Sequence, residues 1–322
     1  MPLLSSSNYQ SPWFLPGGHL QTIIPALFRK VPRVTNEKER LELVDGDFLD
    51  LEWCREGESK RLAILCHGFE ANAGASYIQE MARALVQRGW DVLAWSYRGC
   101  SGEMNRHLRF YHSGATEDLA AVVTHALANH VADQVDLVGY SLGGNLVLKY
   151  LGEQSQEVSS RLGRAVAFSV PCDLACSAET LDTFFNRQVY MRRFIRSLVK
   201  KVREKSLLYP EELNSDGLKE IRTFREFDDR YTAPLHGFKN AKDYWLRSSS
   251  KPFLEKIRIP SLLVNAENDP FLGSRCYPQS EAEASDYFFF ERTFTGGHVG
   301  FPRRGGRRSW MTERAIRFLE NA

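Results

Sequence analysis

A chain of 322 residues is long enough for two domains, or for one large domain carrying an insertion. Lys and Arg number 42 against 40 Asp and Glu, and a formal charge of +2 excludes nucleic-acid binding by bulk electrostatics. With 43% hydrophobic and 25% charged residues, the composition is that of a folded domain and excludes a disordered chain.

The N-terminal stretch through His19 lacks the basic start and unbroken apolar run of a secretory signal. No stretch reaches the roughly 18 apolar residues that a transmembrane helix needs. Six cysteines (Cys54, Cys66, Cys100, Cys172, Cys176 and Cys276) are too sparse for a disulfide scaffold. Cys172 and Cys176 have no matching Cys or His pair nearby, so small, semi-buried thiols are expected there and not a zinc site. A soluble protein of the reducing cytoplasm is the expectation.

In chain order, Arg40–Val44 and Phe48–Cys54 flank Asp45-Gly46-Asp47, which predicts an antiparallel hairpin. Leu62–Cys66, Val92–Ser96, Val135–Val138, Ala165–Val170 and Ser261–Asn265 are short apolar runs, as in strands covered on both faces. Tyr287–Phe290 reads as a last, aromatic strand. Amphipathic helices are predicted over Ser76–Arg88, Thr116–His130, Ser141–Glu153 and Trp310–Glu320, with Ser113, Thr116 and Glu117 as a capped start for the second. The alternation implies a parallel sheet with crossover helices.

About ninety residues separate the strands near Cys172 and Pro260, far more than an ordinary connection, so a structured insertion is expected. Its best-defined piece runs from Phe184 to Lys205. Met191, Phe194, Ile195, Leu198, Val199 and Val202 fall on one face of it, and Arg192, Arg193, Arg196, Lys200, Lys201 and Arg203 on the other. Packing on its own domain is the commoner use of such a helix, and transient contact with an anionic lipid surface is the alternative.

Gly139-Tyr140-Ser141-Leu142-Gly143 follows a predicted strand and precedes a predicted helix. A G-x-S-x-G in that setting places its serine on a tight turn, where the glycines permit close backbone approach and Oγ stands above the sheet. A serine hydroxyl needs a general base, itself oriented by a carboxylate, and on such a scaffold acid and then histidine follow the serine on later loops. Asp269 lies just beyond Ser261–Asn265 and His298 lies beyond the last strand, so Ser141, Asp269 and His298 are the candidate triad. Glu267 stands second to Asp269 for the acid. His67 is expected to support its loop and not to serve as a base. The two oxyanion donors are expected to be the backbone N–H groups of Leu142 and Phe69, the latter in His67-Gly68-Phe69-Glu70 after the first parallel strand.

Further markers are Pro16-Gly17-Gly18-His19-Leu20-Gln21-Thr22, Tyr97-Arg98-Gly99-Cys100-Ser101-Gly102, His112-Ser113-Gly114 with Asp118, and Gly139 through Gly144-Asn145. With these the chain resembles, over almost its whole length, the α/β-hydrolases, and more narrowly the YheT-like branch, also called AB-hydrolase family 4. The resemblance implies a serine hydrolase acting on carboxylic esters, with relatives linked to lipid esters and to acyl transfer. It also implies Ser141, Asp269 and His298 as the triad. In the family the oxyanion loop usually continues with glycine after the glutamate, whereas Ala71-Asn72-Ala73-Gly74 follows here. Eukaryotic relatives often carry an N-terminal membrane anchor, so a soluble, bacterial-type member is the expected match.

The expected architecture is thus an α/β-hydrolase fold with an eight-stranded, mostly parallel sheet. Residues 1–171 and 260–322 form the core and residues 172–259 a helical cap. The expected activity is hydrolysis of short- to medium-chain acyl esters with no cofactor and no metal; acyl transfer to an alcohol and non-catalytic ligand binding are the alternatives. The expected partner is a small-molecule ester, with Phe184, Phe185, Phe194 and Leu198 as an apolar wall above Ser141. The oligomeric state is not legible.

Overall fold

The computed structural model describes residues 3–4, 7–55, 57, 59–154, 160–305 and 308–321. Among these, the strands are β1 (Leu3–Leu4), β2 (Glu37–Glu42), β3 (Phe48–Cys54), β4 (Arg61–Cys66), β5 (Asp91–Ser96), β6 (Gln134–Tyr140), β7 (Leu162–Phe168), β8 (Ser261–Ala266) and β9 (Phe288–Thr293). They form one sheet in the order β1-β9-β8-β7-β6-β4-β5-β3-β2. β3 runs antiparallel to β2 and to β5, and the other pairs are parallel. The eight expected strands are all present, and the two-residue β1 adds a ninth beside β9.

Side chains of successive strand residues point to opposite faces, and this alternation divides the core in two. Leu62, Ile64 and Cys66 of β4 join Leu93 and Trp95 of β5 against the helices Thr116–Asn129 and Leu142–Glu153. Ala63 and Leu65 join Val92 and Ala94 against Ser76–Val86 and Trp310–Asn321. Both faces of the central strands are covered, which is why their sequences are continuously apolar. Each fully buried Leu or Ile contributes about 1.5–3 kcal/mol.

The hairpin between β2 and β3 forms around Gly46, which takes a φ of 83°. β2 lies further toward the N-terminus than its apolar residues suggested, because an edge strand with one wet face needs no apolar run and Glu37–Glu42 is mostly charged. β7 ends at Phe168 instead of Val170, since Ser169 leaves the strand with a φ of 53°. The helix Gly17–Phe28 was not foreseen, for its sequence opens on two glycines and contains Pro25. Ser113 does not cap Thr116–Asn129; its hydroxyl instead accepts from the Tyr244 hydroxyl at 2.9 Å.

Between β7 and β8 the described chain is helical, beginning with Leu174–Leu181, which Asp173 caps by accepting from the Cys176 N–H at 2.8 Å. The long helix expected over Phe184–Lys205 is a helical run interrupted by the π turn Arg187–Met191, with Arg192–Ser206 beyond it. Lys201 does not join its solvated face. It is largely buried against Glu70, and Lys205 is wholly buried, donating to the Asn105 carbonyl at 2.6 Å. At the other end, Ser248–Ser250 is bound to the core: the Asn145 side chain donates to the Ser248 carbonyl at 2.8 Å and accepts from the Ser250 N–H at 2.8 Å.

Candidate active site

β6 delivers Ser141 at the point where the chain turns into the helix Leu142–Glu153. The turn holds Ser141 at φ 53° and ψ −119°, and its N–H donates to the Phe168 carbonyl of β7 at 2.8 Å. A non-glycine residue held in this region is strained, and only the surrounding structure keeps it there. Two glycines make the approach feasible. A Cβ on Gly139 would fall 2.5 Å from the Gly143 carbonyl oxygen, and one on Gly143 would fall 2.4 Å from that of Cys66.

His298 reaches this turn from the loop after β9. Its Nε2 lies 2.9 Å from Ser141 Oγ, while Nδ1 lies 2.8 and 3.0 Å from the two carboxylate oxygens of Asp269, on the loop after β8. With Nδ1–H donated to that carboxylate, Nε2 is left to accept the serine proton. The Asp269 side chain is fully buried and also accepts from the Phe271 N–H at 2.8 Å. The Phe271 ring stacks on the imidazole at 4.0 Å and covers one face of it. All three residues of the candidate triad are thus brought together. Glu267 is not among them: it is exposed and pairs with Arg292 at 3.0 Å.

His67 is fully buried below the loop after β4, where its Nδ1–H donates to the Gly68 carbonyl at 2.7 Å and its Nε2 accepts from the Tyr97 N–H at 3.2 Å. Burial pushes its pKa down to about 3, so the ring stays neutral and both nitrogens are occupied. In the same loop the N–H of Gly68 donates to the Tyr77 hydroxyl at 2.9 Å, and that of Glu70 to the Tyr111 hydroxyl at 3.0 Å. The N–H between them, on Phe69, makes no hydrogen bond to any described residue, and neither does that of Leu142. Gly68 brings this loop against the serine, since a Cβ placed on it would lie 3.4 Å from Ser141 Cβ.

Sequence reasoning missed what steadies these loops. Thr22 on the helix Gly17–Phe28 accepts from the His298 N–H at 2.8 Å, and Gln21 accepts from the Gly296 N–H at 2.8 Å and from the Asn268 side chain at 3.0 Å. Gly18 touches the acid loop so closely that a Cβ would overlap the Asn268 carbonyl oxygen. The Gly-Gly-His-Leu-Gln-Thr run was the available signal, but nothing local in it says what it touches.

Of the expected apolar wall, Phe194 is in place, 5.3 Å from the Phe69 ring and 5.9 Å from that of Phe271. Leu198 and Phe69 line a cavity of about 40 Å³ together with Phe227 and Tyr231. Phe184 and Phe185 do not belong to it: they are 84% and 51% exposed, and Phe185 packs against His19 at 4.4 Å. Cys172, Cys176 and Cys276 are buried free thiols, and among the described residues no group of His, Cys, Asp and Glu is arranged to hold a metal ion.

The model of the α/β hydrolase fold family matches residues 63–303. The chain belongs to the α/β hydrolase family. Within it the chain is YheT-like, being 36% identical over 288 residues to the YheT protein of Escherichia coli (strain K12), a match covering 88% of this chain and 84% of that one. It is 28% identical over 311 residues to the phospholipase ABHD3 of Mus musculus, covering 93% and 74% of the two chains. The monoacylglycerol lipase of Saccharomyces cerevisiae is 29% identical over 271 residues, 82% of this chain and 60% of the lipase. Among solved structures, the Pyrococcus furiosus esterase Pf2001 superposes with a TM-score of 0.59 at 18% identity, covering 90% of this chain and 98% of that one, a likeness of fold.

Proposed function

We propose that this α/β hydrolase, a carboxylic ester hydrolase, works through Ser141, His298 and Asp269. The observation that carries the reading is the unbroken hydrogen-bonded chain from Ser141 Oγ through His298 to Asp269. His298 Nε2 takes the serine proton as Oγ attacks the ester carbonyl carbon, and Asp269 holds the tautomer and stabilises the imidazolium. The free N–H groups of Phe69 and Leu142 receive the oxyanion, where charge develops only in the transition state. As the tetrahedral adduct collapses, His298 returns its proton to the leaving alcohol. Water, deprotonated by the same nitrogen, then adds to the acyl carbon, and as the Oγ–acyl bond breaks His298 returns that proton to Ser141 Oγ and the acid leaves. Every step is a proton transfer or a displacement that these side chains perform themselves.

The relatives support the ester class: YheT is named as an esterase, and the others as a phospholipase and a monoacylglycerol lipase. We read the acyl groups as short to medium in length, packed against the rings of Phe69, Phe194 and Phe271 beside His298, since each buried methylene contributes about 0.8 kcal/mol. We assign the helical segment 172–259 the role of cap over the core. Six buried cysteines suit a cytoplasmic location. The exposed Arg192, Arg193, Arg196 and Arg203, with Phe184 and Phe185 exposed at the start of the same run, suit transient contact with an anionic lipid surface.

A p-nitrophenyl ester series from acetate to palmitate, run on wild type and on Ser141→Ala, tests the reading. Hydrolysis should peak at intermediate chain length and vanish in the variant; equal rates in both would refute it. Acyl transfer to an alcohol is the second reading, since the chain from Ser141 through His298 to Asp269 would serve it equally. Ethyl ester formed on adding ethanol identifies that route.

A further inference from the structure

The loop that presents the Phe69 N–H is a tight turn, closed by the Ala71 N–H donating to the Gly68 carbonyl at 3.3 Å. Its third residue, Glu70, has a φ of 53°. Glycine or asparagine is the usual occupant of such a position, and glutamate there is strained. Its side chain is 6% exposed and densely held. One carboxylate oxygen accepts from the Tyr111 hydroxyl at 2.8 Å and from the Lys201 ammonium at 2.8 Å; the other accepts from the Ser197 hydroxyl. The Tyr111 oxygen also receives the Glu70 N–H, so side chain and backbone are pinned by one phenol.

Lys201 and Ser197 lie one helical turn apart on Arg192–Ser206, the long helix of the segment between β7 and β8. Lys201 is 16% exposed, its ammonium also meets Cys100 Sγ at 3.2 Å, and it lies 5.2 Å from the centre of the Tyr111 ring. Phe194 of the same helix packs edge-on against Phe69. The helix thus grips the loop on both sides of the Phe69–Glu70 peptide.

We propose that Lys201 and Ser197 act through Glu70 as positioning residues, holding the turn in the conformation that aims the Phe69 N–H at the oxyanion. This inference rests on the esterase reading and adds a coupling: the oxyanion site is complete only when the helix Arg192–Ser206 is docked. The pair is shielded from water, so removing one partner leaves the other charge buried and unpaired. An interaction that serves only the oxyanion is realised in the transition state, so its loss falls on kcat and spares KM.

Glu70→Gly separates tether from turn, because it relieves the φ strain while removing the carboxylate. Together with Lys201→Met, Lys201→Arg, Ser197→Ala and the Glu70→Gly/Lys201→Met double variant, it should be assayed with p-nitrophenyl butyrate and an alkyl trifluoromethyl ketone. The ketone forms a tetrahedral adduct with the serine whose oxygen needs the same donors. Glu70→Gly and Lys201→Met should each lower kcat about 10–100-fold with KM within about twofold, and weaken ketone inhibition by the same factor. The double variant should lose no more than the worse single one, Lys201→Arg should recover most of the rate, and Ser197→Ala should show a smaller loss of the same kind. Thermal melting must show each variant folded at the assay temperature, and the milder Ser197→Ala keeps the test open if Lys201→Met is not. Wild-type kcat in Glu70→Gly, or losses confined to KM, would overturn the proposal. The esterase reading fails separately, if Ser141→Ala is as active as wild type.

Discussion

The nucleophile turn and the oxyanion loop lie against each other and are held in opposite ways. Ser141 is kept at its positive φ chiefly by its own neighbours, β6 before it, the helix after it, and Gly139 and Gly143, with one bond from its N–H to the Phe168 carbonyl of the adjacent strand. Glu70, at the same φ, is kept there by Tyr111 and by Lys201 and Ser197, residues distant in sequence. A strained conformation can thus be built into a local motif or borrowed from another element, and only the borrowed one can change when that element moves.

The largest effects should come from the nucleophile turn and its partners. Ser141→Ala should lower turnover by about 10⁴-fold or more and abolish labelling by a fluorophosphonate. Gly143→Ala keeps every catalytic group but drives a methyl against the Cys66 carbonyl; kinetics on the folded fraction should show a loss of about 10²-fold.

Asp269→Asn should cost on the order of 10⁴-fold, because an amide permits the wrong imidazole tautomer. Glu267→Gln should stay within about threefold of wild type, as its carboxylate meets Arg292 at the surface. The ratio of the two rates, on variants melting near wild type, is the measurement. A more damaging Glu267→Gln would mean that the acid is misassigned.

The histidine loop is held from a distance as the oxyanion loop is. Thr22→Val preserves shape and removes the acceptor for the His298 N–H, so turnover should fall about 10–100-fold. The unpaired donor should also lower stability by about 1–3 kcal/mol in urea unfolding. Unchanged kinetics would show that the loop holds its own shape.

A pH dependence of stability belongs to the oxyanion side. His67 has its folded pKa pushed down to about 3 by burial, against an ordinary 6.5, so below pH 6.5 the unfolded chain takes up a proton that the folded one refuses. The stability it allows is therefore intact above pH 6.5 and declines as pH falls toward 3, by up to about 1.4 kcal/mol per pH unit. Urea midpoints of wild type and His67→Gln between pH 7.5 and 4.5 should converge as the pH drops. Parallel curves would remove His67 as the source.

Much of this was legible before folding was considered. The buried strands were readable because both faces are covered and the runs are apolar, and Ser141 because its turn is specified by residues within two positions of it. Asp269 and His298 followed from the order in which such loops occur along the chain. Less was legible where a residue's surroundings come from elsewhere. Lys201 looked like one more cation on a solvated helix face, and Phe184 and Phe185 like wall residues, because periodicity records spacing and not which neighbour covers a face.

The sequence by itself determined the parallel sheet and the serine turn, and it singled out Asp269 and His298 as candidate acid and base, all of which depend on local pattern and chain order. Tertiary structure alone decided that Gln21 and Thr22 hold the histidine loop, that Asn145 ties the serine's helix to Ser248 and Ser250, and that Glu70 meets Lys201. Each of these joins groups far apart along the chain. Burial and pairing, which give a polar side chain its role, do not exist until the chain has folded around it.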